Sequence, residues 1–434
     1  MTLGARRIAG QHDRSFNEVR HATCCVIGCG PAGAMLGLML AREGVDVLVL
    51  EKHADFLRDF RGDTLHPSTM QIMDELGLAD GLLQLRHTKA RKITARLPGR
   101  TLTVADLGRL KTRFPYITFM PQWDFLDYIT AEAKRYPTFR LEMNAEAKEL
   151  ILEGGTVRGV RYETPEGPRE ARALLTVSAD GRSSPFRGQA GLKMVRTSPP
   201  IDVLWFRLSR REGDPEDTFG YAGNGRFMAV INRSEYWQIA YLIRKGEYES
   251  VRARGLEAFR HAVGEAIPEF AGRTGELGNW DNVKLLTVQA DRLRRWHGPG
   301  LLCIGDAAHA MSPVGGVGIN LAIADAVAAA NALAGPLGEG RVRSRDLVAV
   351  QLRRELPTRV IQALQSFAQR RVISTSLQQG GAPSLPGFVR FLLSLRPVRG
   401  IPARLIAFGV WPEHVKSRGP AMEAGLIQVA ERSR

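Results

Sequence analysis

Between Gly305 and Asn320 the chain reads GDAAHAMSPVGGVGIN, and three of its side chains have the types needed for covalent hydrolysis. Asp306, His309 and Ser312 could in principle form an acid, base and nucleophile. The pattern around Ser312 argues against it, because no G-x-S-x-G elbow presents the hydroxyl. The stretch also holds four glycines and leads into a helix of small residues. Such a backbone can lie flat against a bound ring, with His309 serving as a hydrogen-bonded scaffold residue.

A second candidate lies near the start, in GCGPAG from Gly28 to Gly33. Gly28 allows a tight turn, Gly30 lets the backbone approach a pyrophosphate, and Gly33 lets helix and strand pack closely. Pro31 and Ala32 open the helix whose N-terminus faces those phosphates. Glu51, followed by Lys52, ends the next strand, where a carboxylate accepts hydrogen bonds from an adenosine ribose and repels a 2′-phosphate. These residues predict a dinucleotide site without saying which dinucleotide it takes.

The elements that position these motifs follow from the pattern. TCCVIG, PAGAMLGLMLAREG and VDVLVLEKH read as strand, helix and strand of a parallel unit. Helices are expected over Pro67 to Gly77 and Trp123 to Tyr136, and a hairpin around Gly154 and Gly155. Beyond residue 195, VLWFRLSR, GRFMAVINR and YWQIAYLIRKG predict an antiparallel sheet, and long helices follow Ser344.

Composition narrows the class. The 434 residues are enough for two or three subdomains, and no apolar run is long enough to span a bilayer. The net charge of +15 is spread through the chain as arginine, without a basic block or zinc-finger spacing, so nucleic acid is not an expected partner. Cys24, Cys25, Cys29 and Cys303 read as buried thiols of a cytoplasmic protein, and no metal site is expected.

A third motif, SADGRSSPFR at Ser178 to Arg187, completes an ordered set. GCGPAG, then ADGRSSPFR, then GDAAHAMSPVGGVGIN resembles the single-component FAD-dependent aromatic hydroxylases typified by para-hydroxybenzoate hydroxylase. The resemblance runs from about Cys24 to the WPEH at Trp411 to His414. It implies an α/β fold: a Rossmann-like FAD-binding domain interleaved with an antiparallel-sheet substrate domain, plus C-terminal helices. The expected boundaries are a flexible basic tail over 1–21, FAD-binding segments at 22–85, 110–190 and 284–340, substrate-binding segments at 86–109 and 191–283, and a C-terminal helical region over 341–434.

Site roles carried by the resemblance attach to individual residues. Asp306 is expected on the flavin ribityl chain, Pro313 near the reactive face, and Gly318, Ile319 and Asn320 at the pyrimidine edge. Arg61, Gln122 and Asp180 match family positions near FAD. Tyr221 resembles the phenol-activating tyrosine, though it also reads as a strand aromatic packed in the sheet; Phe227, Trp237 and Tyr241 join it as substrate candidates. Glu235 stands where the family type has a carboxylate-binding arginine, which points to a larger or less acidic aromatic.

The implied reaction is hydroxylation of a phenolic or polycyclic small molecule by O2, through a flavin C(4a)-hydroperoxide, with NADH or NADPH as transient reductant. The expected form is a monomer or homodimer without stable membrane insertion. FVRFLLSLRPVRGIPARLIAFG is expected to pack on the cofactor domain, a lipophilic contact being the alternative. Other functions compatible with the motifs are a halogenase, a reductase or oxidase of the same fold, and a non-catalytic flavoprotein that shelters an intermediate.

Overall fold

The structure, a computed structural model, describes residues 18–57, 64–197, 199–370 and 400–416. Most of the predicted tail, Arg61, and the whole FVRFLLSLRPVR run lie outside the described residues.

Apolar residues on both faces of TCCVIG suit a strand covered from both sides. In the strand Glu18–Ile27, Cys24 and Val26 enter one core while Cys25 and Ile27 enter another. This strand begins five residues before TCCVIG, inside the stretch read as tail. Residues 18–22 pair in register with 169–173 of the strand Gly167–Ser178, so backbone pairing sets the start where hydrophobicity gives no signal.

The parallel sheet runs in the order Leu301–Cys303, Gly167–Ser178, Glu18–Ile27, Val47–Leu50 and Phe139–Glu142. Helices Pro31–Arg42, Gln122–Ala133 and Gly318–Gly338 share the core on one face. The antiparallel hairpin Glu146–Glu153 and Thr156–Thr164 contributes to the core on the other. Gly318–Gly338 is long and apolar enough to cross a membrane by composition, yet it is a core helix packed against Pro31–Arg42 and Ser344–Ala368.

A second sheet orders Lys284–Leu286, Ile201–Ser209, Tyr236–Arg244, Arg226–Asn232, Phe219–Gly223, Lys92–Leu97 and Arg100–Asp106. Its pairs are antiparallel except Phe219–Gly223 with Lys92–Leu97. Lys284–Leu286 was expected with the cofactor unit but pairs with Val203 to Trp205, because the chain completes this sheet's edge before returning. A small sheet of Thr64–Leu65, Ile117–Phe119 and Thr88–Ala90 shares a core with Ala105 of the second sheet and with Ala403 and Ala407 of the helix Ile401–Phe408.

Period-two alternation gives the second sheet two unlike faces. Leu204, Phe206, Met228, Val230, Trp237 and Ile239 are buried beneath helices Tyr248–Ala253 and Leu256–Ala266. That layer is fastened by Asp214, which accepts from Arg273 through both oxygens at 2.5 and 2.7 Å and from Trp237 Nε1 at 2.9 Å.

Hydrogen bonding from Arg273 outweighs burial and holds the Asp214 carboxyl well below the usual range. A depressed carboxylate stabilises the fold above its unfolded pKa and ceases to do so as pH falls through the folded value. Asp214→Asn is expected to lower the thermal midpoint by a few degrees at pH 7. Its gap from wild type is expected to narrow once pH falls below about 4. Thermal unfolding at pH 7 and pH 3 measures this, and an equal gap at both would exclude the carboxylate as the cause.

Candidate functional site

All three motifs meet at one edge of the parallel sheet. Gly28 follows the strand ending at Ile27, Asp180 follows the one ending at Ser178, and Gly305 follows the one ending at Cys303. These strands are neighbours and parallel, so their carboxyl ends lie side by side. Backbone bonds continue the alignment into the loops: Ala179 N–H donates to Ile27 at 2.8 Å and Ile304 N–H to Ser178 at 3.0 Å.

The glycines are explained by distance. A Cβ on Gly28, whose φ is +92°, would lie 2.7 Å from the Ala179 carbonyl oxygen and 2.8 Å from Asp180 Cα. A Cβ on Gly33 would lie 1.9 Å from the Gly28 oxygen. Gly305, at φ +58°, approaches Ala32 and Ala322, which joins the first motif to the third. Gly30 differs: a Cβ there would meet nothing within 4 Å. Its smallness serves open space, next to a helix start with no side-chain cap and no acid in its first turn.

Glu51 is nearly buried beside that turn and accepts from Cys29 N–H at 3.0 Å and His53 N–H at 3.1 Å. Lys52 is exposed, and Gln122 begins its helix half-buried. Asp180 accepts from the Ser178 hydroxyl at 2.5 Å, and burial pushes its carboxyl up. Asp306 lies half-buried in the short turn Gly305–Ala307, and the neighbouring Pro313 carbonyl accepts from Gly316 N–H at 3.0 Å.

The triad chemistry of the third motif is absent. His309 Nε2 bonds Asp325 at 2.6 Å, and the Ser312 hydroxyl accepts from Gln369. Asp325 was not singled out in the sequence; an Asp inside an alanine-rich, buried helix was the available signal. Asn320 presents backbone at the start of Gly318–Gly338, but its side chain is consumed internally. It accepts from His66 N–H and Thr69 Oγ1 and donates to the carbonyls of Thr64 and Gly316. Ile319 turns its side chain into the core.

The substrate candidates divide between the faces of the second sheet. Tyr221, Trp237 and Tyr241 belong to the core under the helices, with Trp237 against Phe270 and Tyr241 against Phe259. Burial raises the Tyr221 phenol. Strand alternation places these three substrate candidates on the helix-covered face, opposite to the face that carries Phe227. Phe227 faces the other way, where Trp205, Ala229, Ala240 and Leu242 pack with Val314 of the third motif. Trp205 and Val314 were missed, since only the register reveals which strand positions share a face. Glu235 is exposed and pairs with Arg86 at 2.6 Å.

A parallel sheet with three motifs at its carboxyl edge, beside a second sheet facing that edge, defines a nucleotide-cofactor enzyme of two modules. The model of the FAD binding domain family matches residues 21–363, and the chain belongs to that family. A 6-methylpretetramide 4-monooxygenase of Streptomyces rimosus is 32% identical over 366 residues, covering 84% of this chain and 87% of that protein. Among solved structures, PqsL, a probable FAD-dependent monooxygenase from Pseudomonas aeruginosa, superposes with a TM-score of 0.70 at 20% identity, over 83% of this chain and 98% of that one. The flavin-dependent brominase Bmp2 superposes with a TM-score of 0.71 at 18% identity, over 95% of this chain and 100% of that one. The protein is an FAD-dependent monooxygenase.

The residues present fit FAD. Open space at Gly30 and the uncapped helix start suit a pyrophosphate, the Glu51 carboxylate at the end of the second strand suits a ribose, and the small residues of the third motif suit a flat ring. Gly30→Val is expected to leave the far-ultraviolet circular dichroism of the apoprotein unchanged while weakening FAD binding by roughly tenfold or more. Gly33→Val, with its Cβ inside the turn, is expected to yield no soluble protein. Equal FAD affinity in Gly30→Val and wild type would remove Gly30 from the phosphate site.

Proposed function

We propose that the protein hydroxylates a flat, fused polycyclic aromatic, consuming one NADH or NADPH and one O2 per turnover. One oxygen atom enters a C–H bond of the substrate; the other leaves as water, its two electrons and one hydrogen supplied as the hydride of the nicotinamide and its second hydrogen by a proton from solvent. FAD supplies the redox and oxygen-activating chemistry, by the hydroperoxide route that the family resemblance implies.

One observation carries the substrate class. Ala95, Gly220, Ala229 and Ala240 stand opposite one another on four adjacent strands, and Trp205 ends the row. Adjacent strands are about 4.8 Å apart, so four small residues make a shallow trough about 14 Å long. That is the length of several fused rings and more than one phenol needs. Gly220 is not small for packing: a Cβ there would meet only backbone oxygens at 3.7 and 3.8 Å, ordinary contacts. Phe227 and Trp205 offer apolar walls, and Val314 touches this face from the third motif, beside Pro313. Arg233 and Gln238 stand toward one end, with Arg233 Nε donating to Gln238 at 3.0 Å, as polar groups suited to substrate oxygens. The 32% identical relative, named for a monooxygenase activity on 6-methylpretetramide, supports the same reading.

The roles proposed for this chain's residues are binding and orientation. Gly28, Gly30, Glu51 and Asp306 hold FAD. The start of Gly318–Gly338 directs its N–H groups toward negative charge on the ring. The trough lays the substrate along the flavin and excludes water, with Phe227 as a wall. Tyr221, packed under the helices, is assigned the role of a strand aromatic of the core.

The test follows nicotinamide oxidation by the purified yellow protein against monocyclic phenols and fused tricyclic and tetracyclic phenols, with and without bromide. The expected result is stimulation by the polycycles and a product heavier by one oxygen atom. Oxidation without oxygen incorporation, or a brominated product, would overturn the proposal. Gly220→Leu is expected to raise KM for the polycycle by roughly tenfold while changing that for a single ring little. An equal change for both substrates would take the trough out of the specificity.

A further inference from the structure

The turn that presents Asp306 is held from below by a carboxylate that has no place in the cofactor motifs. Asp325 lies on Gly318–Gly338 and is completely buried. Its Oδ2 accepts from Gly305 N–H at 3.0 Å and bonds His309 Nε2 at 2.6 Å. Its Oδ1 accepts from Arg354 Nε at 2.9 Å. The first two partners lie on either side of Asp306, so one side chain grips the turn at both its ends. The turn is closed on itself as well, since Ala308 and His309 N–H groups both donate to the Gly305 carbonyl at 2.9 Å.

The grip is anchored in turn. Arg354, on Ser344–Ala368 and buried, donates to Glu413 at 3.2 Å, and Arg353 donates to the same carboxylate at 2.7 Å. Two long helices and the segment carrying Glu413 therefore converge on the Gly305 to His309 turn. Burial alone would raise the Asp325 carboxyl, but His309 and Arg354 outweigh it and hold it below its ordinary value. Asp325 is thus an anion, acceptor-only, and suited to fix N–H donors in a single arrangement. His309 is fixed too: its ring lies against Trp296 with centroids 4.9 Å apart and planes tilted by 41°, and Nε2 faces the carboxylate.

Simple cohesion does not require such a group. A buried ion pair is often no more stabilising than apolar residues of the same size, whereas its directional bonds define geometry. The geometry defined here is that of the turn bearing Asp306. We propose that Asp325 is a positioning residue for FAD: through Gly305 and His309 it presets the turn that carries Asp306, so the bound cofactor finds its polar partner already in place. A preset turn binds more tightly because its ordering cost is met during folding and not during binding. This holds whatever aromatic substrate the enzyme takes.

The test uses the full chain, stripped of FAD and titrated with FAD, with flavin fluorescence reporting the dissociation constant. Thermal melts with and without FAD report the stabilisation that the cofactor adds, which linkage relates to affinity. Two variants are compared with wild type. Asp325→Asn removes the charge, and His309→Phe keeps a ring against Trp296 while withdrawing the donor. Expected are an FAD dissociation constant at least about tenfold higher in Asp325→Asn, a smaller rise in His309→Phe, and a reduced FAD-induced gain in Tm in both. The bound flavin in the variants is also expected to be more fluorescent, reporting a looser seat. If apo and holo Tm fall in parallel while the dissociation constant stays at the wild-type value, Asp325 is structural only and the proposal is overturned. Should Asp325→Asn not fold, His309→Phe decides alone: unchanged affinity and unchanged FAD-induced gain would overturn it.

Discussion

The structure depends on the close approach of Gly28 to Ala179 and Asp180. At 2.7 to 2.9 Å from an imagined Cβ, that contact tolerates no side chain. It allows two parallel strands to end level with each other, so the loops following them occupy one edge of the sheet. Gly305 repeats the arrangement by closing against Ala32 and Ala322. Three segments separated by long stretches of chain become one surface because glycine removes the atoms that would hold them apart.

That surface is supported differently on its two sides. Toward Pro31–Arg42 and Gln122–Ala133 the support is apolar, with Met35, Leu36, Met39, Phe125 and Ile129 almost wholly buried. Beneath the third motif the support is ionic, from Asp325, Arg354 and Glu413. The apolar side gives stability without direction. The ionic side gives direction, and breaking one partner of such a buried pair typically costs about 3–5 kcal/mol because the other charge is left without its partner. A rigid turn next to a ring-sized surface is what a redox cofactor requires, since its reactivity depends on its orientation toward substrate.

The second sheet shows how one alternation serves two purposes. Its helix-covered face carries large aromatics, which fill a core and fasten it through Trp237 and Asp214. Its other face carries smaller residues such as Ala229 and Ala240, which pack with Val314 of the third motif. Neighbouring positions such as Tyr221 and Ala222, or Trp237 and Gln238, therefore have unrelated roles, because successive side chains on a strand point oppositely.

Local pattern alone determined much of this protein. The parallel unit around GCGPAG with its dinucleotide site, the hairpin at Gly154 and Gly155, and the helices after Pro67 and near Trp123 all follow from glycine spacing and hydrophobic periodicity within short windows. FAD as the dinucleotide was implied by the family resemblance of the three ordered motifs. Glycine spacing also argued correctly against a hydrolytic triad. What tertiary structure decided was facing and partnership. Tyr221, Trp237 and Tyr241 were named as substrate candidates from the pattern, and only the strand register places them on the helix-covered face, since a one-residue difference in register exchanges the two faces. Asp325 and Arg354, 29 residues apart, have no local signature as partners. Their pairing arises from the packing of two helices, and only that packing buries their charges deeply enough for each to need the other.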